Sequence, residues 1–314
     1  MTLLHQDDLI TILISIYCFV EEFIKRIVEN IQFSLTSPTK DNPPNKTHKL
    51  GIPKLVTLAL FRFFTGHRNW KDFYRHIKSY HTQDFPELPH YSNFIDAVNK
   101  ISFLGMMLLQ GFMQFFKSIT TQQDVKLADG AKLRVCEIKR EFSHKVCARV
   151  ASKSKTSMGW FYGFRLHIIC NELMQILNFR ITTGTTDERK TLEMMWSDIL
   201  GMIIADAGYV GKNWQEKAKK KGIHLFTAVR ANMKKLMTSF QHQLLKIRQN
   251  VETVFSVLKL RMGIENTLPR SELGHFAHYI WCLAAYQLKK FLEFFFSRPP
   301  SFSNKNPYSM PSLP

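Results

Sequence analysis

The chain has 314 residues and a formal charge of +18, from 43 Lys and Arg against 25 Asp and Glu. That length buries a large core and leaves room for two domains, and the charge calls for a polyanionic partner, nucleic acid or anionic lipid. Five cysteines (Cys18, Cys136, Cys147, Cys170 and Cys282) with no CxxC pair speak against a disulfide framework and fit free thiols in a reducing compartment.

Cys136, His144 and Cys147 lack a fourth ligand at standard zinc spacing. Asp7 and Asp8 stand where a secretory leader would be basic, so none is expected. The apolar runs Leu9–Val20 and Ile101–Phe116 are short for a bilayer, and Gln110 and Gln114 interrupt the second. A soluble, cytoplasmic protein is expected.

In chain order, residues 8–30 read as one amphipathic helix. Residues 34–49 collect Ser, Thr, Asn, Pro38, Pro43 and Pro44, the composition of a linker. Pro53 opens a helix over Lys54–Phe64 that stops at Gly66, and Asn69 caps another over Trp70–Tyr80. Helices follow from Ser92 to Lys100 and on to Phe116. Arg62, His67, Arg68, Lys71, Arg75, His76 and Lys78 mix with aromatic residues here. Such a face suits a helix-turn-helix-like DNA reader, or equally the solvated side of a helical bundle.

At Gln123 the period changes from helical to two. Val125, Leu127, Asp129, Ala131, Leu133 and Val135 alternate with Lys126, Lys132 and Arg134, which predicts a strand with Asp129 on its apolar side. A carboxylate there needs compensation, and a metal ion is one candidate. Residues 139–155 carry Arg140, Lys145, Arg149 and Lys153 and read as a mobile connection that meets phosphates. Strands over Trp160–Cys170 and Gln175–Thr182 form a hairpin through Asn171 and Glu172. Residues 187–200 are helical. A short buried strand, Ile203–Ala205, then delivers Asp206, with Gly208 turning the chain. Asp206 is either a turn or cap residue or a ligand at a strand end. A helix over Lys212–Lys221, a strand over Ile223–Arg230 and a helix over Gln241–Met262 complete the pattern; the tail after 297 reads as disordered.

The order β-β-β-α-β-α-β-α suits a mixed five-stranded sheet with helices on its faces. Leu244, Ile247, Val251, Val254 and Leu258 form the buried stripe of the last helix. Arg248, Glu252 and Lys259 share a second stripe, as an intrahelical ion-pair ladder or as a site.

An Asp on the first strand, an Asp ending the fourth and a Glu on the helix after the fifth have the topology of the ribonuclease H-like fold. The segments Ser157–His167, Ile203–Tyr209 and Arg248–Lys259 resemble the insertion-sequence-982 family of DDE transposases, over nearly the whole chain before residue 297. The Arg-x3-Glu-x6-Lys spacing is also similar to the insertion-sequence-4 signature, whose leading Tyr is here Leu245. The short interval from Asp206 to Glu252 leaves no room for a large insertion domain.

The resemblance implies an all-α DNA-binding domain over 1–118 and a catalytic domain over 122–296. Its implied catalytic and metal-binding acids are Asp129, Asp206 and Glu252, holding two Mg²⁺ ions for which Mn²⁺ can substitute. Arg248 and Lys259 would contact phosphates of double-stranded DNA at transposon ends and target, joined by Arg140, Lys145, Arg149 and Lys153. A homodimer assembled on DNA at the nucleoid is expected. Asp124, Asp187 and Glu265 compete for the acid roles and rank lower. A nuclease that cuts without joining, and a DNA-binding remnant without chemistry, are the alternatives; a basic membrane-surface protein is a more distant one.

Overall fold

The computed structural model describes residues 6–34, 50–156, 159–206, 209, 211–227, 246–266 and 268–296. The expected linker, the tail after 297, residues 228–230 and the helix residues Leu244 and Leu245 lie outside them. The chain divides into two compact units, Met1–Met107 with Leu273–Ala285, and Leu108–Glu272 with Tyr286–Pro314.

Among its described residues the first unit is helical. It holds α1 (Gln6–Ser34), α2 (Ile52–Phe61), α3 (Trp70–Tyr80), α4 (Tyr91–Lys100) and the start of α5 (Ser102–Ile119). On α1 the buried Leu13, Ile16, Val20 and Phe23 recur at steps of three and four, the stripe of a one-sided helix. In contrast, α2 is buried from Leu55 through Phe61, apolar on every side, and so runs through the centre of this unit. Asn69 caps α3 as expected, its Oδ1 accepting from the Asp72 N–H at 2.8 Å. Trp281 donates its indole N–H to Val98 O at 3.1 Å, and its ring lies against Gly105, where a Cβ would come within 2.9 Å. Only glycine admits that ring so close to the backbone.

One residue of the expected basic face does not belong to it. Arg62 is fully buried, its guanidinium 4.6 Å from the ring centroids of both Phe63 and Trp70. It donates to Arg68 O at 2.6 Å and meets His278 Nδ1 at 3.2 Å. Burial lowers its pKa to about 10, which leaves it charged at neutral pH. Arg68, Lys71, Arg75 and Lys78 remain exposed.

The second unit carries a mixed sheet of β1 (Lys126–Cys136), β2 (Ser152–Thr156), β3 (Gly159–Asn171), β4 (Ile176–Thr183), β5 (Gly201–Ala205) and β6 (Ile223–Thr227). The order is β2-β3-β1-β5-β6, with β4 also on β3. β1 pairs antiparallel with β3 and parallel with β5, and β5 pairs parallel with β6. The helices α6 (Glu188–Met195), α7 (Lys212–Lys220) and α8 (Gln249–Ser256) follow β4, β5 and β6 in the chain, and α9 spans Glu272–Phe296. This is the expected ribonuclease H-like α/β arrangement, with one strand more than the five anticipated.

The added strand corrects the reading of 139–155 as a mobile connection. Ile138–Arg140 form a 3-10 turn and Ser152–Thr156 pair with β3. β3 is long enough for two partners: β2 occupies Gly159–Gly163 and β4 occupies Phe164–Cys170, end to end on the edge away from β1. The Ser-Lys-Ser-Lys-Thr composition of β2 hid it, because no apolar alternation marks an edge strand of that kind.

α9 was not anticipated, although Leu288, Phe291, Leu292 and Phe295 stand at helical spacing in its C-terminal half. In this unit Gln287 on α9 serves the sheet, accepting from the Ile176 N–H at 3.0 Å and donating to Ile176 O at 2.7 Å. It thus satisfies both backbone groups of β4 next to the register shift between Ile169 and Cys170.

Candidate active site

Parallel pairing sets Lys126 beside Ile203, Leu127 beside Ile204 and Ala128 beside Ala205. One further step places Asp129 level with Asp206, the first residue beyond β5. Neighbouring strands lie about 4.8 Å apart, so the two acids leave the sheet side by side. The residues leading to them are buried: Lys126, Leu127 and Ala128 before Asp129, and Ile203, Ile204 and Ala205 before Asp206.

Glu252 comes from α8, which lies against β1 and buries Val251, Val254, Phe255 and the following Leu258. One turn earlier, Arg248 reaches between the acids, its guanidinium 3.6 Å from Asp129 Oδ2 and 3.0 Å from Glu252 Oε1. The Asp129 side chain is 22 % exposed and that of Glu252 56 %. Asp206 is also exposed. The cluster is therefore closed behind Asp129 and open to solvent on the other side.

Burial is the largest influence on Asp129, pushing its carboxyl up to about 6. The Gly130 N–H and Arg248 pull it down, and the charges of Asp206 and Glu252 push it up again. Asp129 Oδ1 accepts from the Gly130 N–H at 2.7 Å, which leaves Oδ2 toward Arg248. Asp129, Asp206 and Glu252 thus act on one another electrostatically, with a single guanidinium salt-bridged to two of them.

Behind Asp129 stand residues that the sequence reading did not single out. Gly130 faces His167 across the β1–β3 pair, and a Cβ at 130 would come 3.1 Å from His167 Nδ1 and 3.8 Å from the Tyr209 hydroxyl. His167 is 3 % exposed; Nε2 meets Thr182 Oγ1 at 3.0 Å, and Nδ1 has no hydrogen-bond partner. Burial, with Arg165 nearby, lowers its pKa to about 4, so the ring is neutral at working pH. Burial raises the Tyr209 pKa, and Asp129 and Asp206 add to that. A glycine inside an alternating strand pattern was the available signal for this close approach.

The other candidates have their hydrogen bonds and ion pairs outside the acid cluster, although the charge of Asp187 acts on the Tyr209 hydroxyl together with those of Asp129 and Asp206. Lys259 does not pair with Glu252. Beyond α8 the helix widens over Val257–Arg261, where the Met262 N–H donates to Val257 O, and Gly263 turns the chain at φ +65°. Glu265 is thereby returned to Lys259 at 3.7 Å. Glu265 also accepts from the Arg134 backbone N–H at 3.0 Å and Nε at 2.9 Å, a bond between β1 and the chain after α8. Asp124 accepts from the Thr121 N–H in the turn before β1, and Asp187 caps α6 through the Arg189 N–H. Arg140, Lys145, Arg149 and Lys153 are all exposed, with Lys153 held by Glu141 at 2.8 Å.

Residues 119–272, which include Asp129, Asp206 and Glu252, match the family described as Transposase DDE domain. Among solved structures, the chain is similar to the piggyBac transposase in a cryo-EM synaptic complex with hairpin DNA. That likeness has 10 % identity and a TM-score of 0.48, covering 87 % of this chain and 72 % of the other. No curated protein matches the chain. No helix among the described residues is long and apolar enough to cross a membrane.

Proposed function

From a transposase DDE domain over residues 119–272, we propose that the chain is the transposase of a bacterial insertion sequence of the insertion-sequence-982 type. It binds terminal inverted repeats and catalyses metal-dependent DNA strand cleavage and strand transfer. The observation that carries this reading is that Asp206 and Glu252 act electrostatically on Asp129, with Arg248 salt-bridged to Asp129 and Glu252. The helices α1 to α4 would read the repeats through the exposed Arg68, Lys71, Arg75 and Lys78.

The residues fit Mg²⁺. The donors are carboxylate oxygens, which a hard cation prefers; Asp129 Oδ2 is free of backbone bonds, and the Asp206 and Glu252 carboxylates are open to solvent. Two Mg²⁺ ions held by the three acids would activate a nucleophile and stabilise the leaving oxygen of a phosphodiester. The chain's own residues supply the rest. Gly130 fixes the Asp129 carboxyl by its N–H, and the neutral His167 keeps a further positive charge out of the wall behind it. Once its carboxylates are engaged, Arg248 is free to turn to a phosphate of the bound strand, with Lys259 beside Glu265 on the next turns of the chain.

The test is a strand-transfer assay with Asp129→Ala, Asp206→Ala and Glu252→Ala beside DNA binding and a thermal melt. Each should lose cleavage and joining while keeping binding and fold. Full activity in any one at wild-type stability removes that residue from the site.

A further inference from the structure

The hairpin of β2 and β3 carries a surface that the acid cluster does not use. Its pairing sets Lys155 opposite Trp160 and Lys153 opposite Tyr162. Alternation then puts these four on one face, while Phe161 is buried on the other. Lys153 Nζ and Lys155 Nζ lie 5.5 and 5.8 Å from the centre of the Trp160 ring, yet Trp160 stays 56 % exposed. The connection before β2 carries a second exposed aromatic residue, Phe142, 97 % exposed, next in the chain to Glu141, the carboxylate that holds Lys153. Lys139, Arg140, Lys145 and Arg149 are exposed in the same connection.

We propose that this hairpin is a stacking site for an unpaired DNA base, with Trp160 as the platform and Lys155 and its neighbours on the flanking phosphates. The inference rests on the reading of the chain as a DNA-processing enzyme. Exposed aromatic rings interleaved with cations suit unstacked bases, whose flat faces are open. A fully paired duplex would meet the lysines and leave the rings in water. The site is separate from the acids. Ile168 is the cross-strand neighbour of Asp129, and Trp160 precedes it by roughly eight residues of one strand, or about 26 Å.

The experiment uses the full chain and two probes, a duplex of about 30 base pairs and the same duplex with one bulged 2-aminopurine. Trp160→Ala should weaken binding to the bulged probe roughly ten- to hundredfold and abolish quenching of the 2-aminopurine, with less than about a twofold change on the paired duplex. Trp160→Phe, which keeps a ring, should retain most of the binding. Lys155→Ala should lower the salt dependence on both probes by roughly one counterion. Unchanged binding of Trp160→Ala to the bulged probe, or equal losses on both probes, overturns the inference. Wild-type protein that binds neither probe overturns the DNA-processing reading as well. Wild-type binding that ignores Trp160 removes the hairpin alone.

Discussion

Each unit of the molecule holds one arginine in a setting that defines it. Arg62 is sealed between two aromatic rings and hydrogen-bonded to a carbonyl and an imidazole. Arg248 is partly open and is salt-bridged to two carboxylates. The first cation completes a core, because its neighbours are fixed packing partners. The second is a counterion among acids, two of which it bridges. A guanidinium completes a core in one place and neutralises acids in the other, and what separates them is the partner set.

The comparison breaks most sharply at the acids themselves. If the cluster around Arg248 is chemical, loss of any of Asp129, Asp206 or Glu252 should cost about three orders of magnitude or more in strand transfer, since metal stabilisation supplies several kcal/mol. The same variants should melt at or above the wild-type temperature in the absence of metal.

Next in size is Arg62. Arg62→Ala leaves a cavity and strands the groups that its guanidinium satisfied, and should cost about 3–5 kcal/mol in urea unfolding. Arg62→Met, which keeps the volume, should recover most of that loss. Arg248→Ala should cost no more than about 1 kcal/mol without metal, a loss that added Mg²⁺ makes good. Equal losses at the two arginines would erase the distinction.

The pH dependence of Asp129 is a smaller effect with a definite sign. Its folded pKa is raised from 3.8 to about 6, so the folded state favours the protonated form. The associated stability is present below about pH 4 and is lost as pH rises through about 6. Asp129→Asn should therefore stabilise the metal-free protein by on the order of 2–3 kcal/mol at pH 8 and by nothing near pH 3.5, read from denaturation midpoints at both values. A pH-independent difference would show that the carboxyl is not strained by its surroundings.

The smallest effect concerns phosphates. Arg248→Ala should reduce the salt slope of end-DNA binding by about one counterion, and Lys259→Ala by less, because Glu265 already holds that ammonium. Equal reductions in a filter-binding titration would mean that Lys259 leaves Glu265 when DNA arrives.

Much of this arrangement was legible from residue order. Alternation about Asp129, the small apolar run into Asp206 and the three-four stripe beside Glu252 each report which side of an element is buried, and burial is what periodicity encodes. β2 escaped because its polar residues form an edge and bury little. The pairing of Lys259 with Glu265 escaped because a widened turn over Val257–Arg261 shifts the helical phase, and a backbone hydrogen bond leaves no compositional trace. Arg62 looked like its exposed neighbours because a buried guanidinium between rings requires Phe63 and Trp70 to close from two directions. His167 needed the strand register before its relation to Gly130 could be seen.

The level pairing of Ala128 with Ala205 has a consequence for the gene that encodes the chain. Gain or loss of a single codon within Lys126–Ala128 or Ile203–Ala205 would slide one strand against the other and turn the following acid to the opposite face of the sheet. The same codon gained or lost in the turns of residues 142–150 would shift nothing that holds the acids. On the proposed reading, a length change in that connection should therefore leave strand transfer intact, whereas one in the two short strand segments should abolish it even with the three acids unchanged.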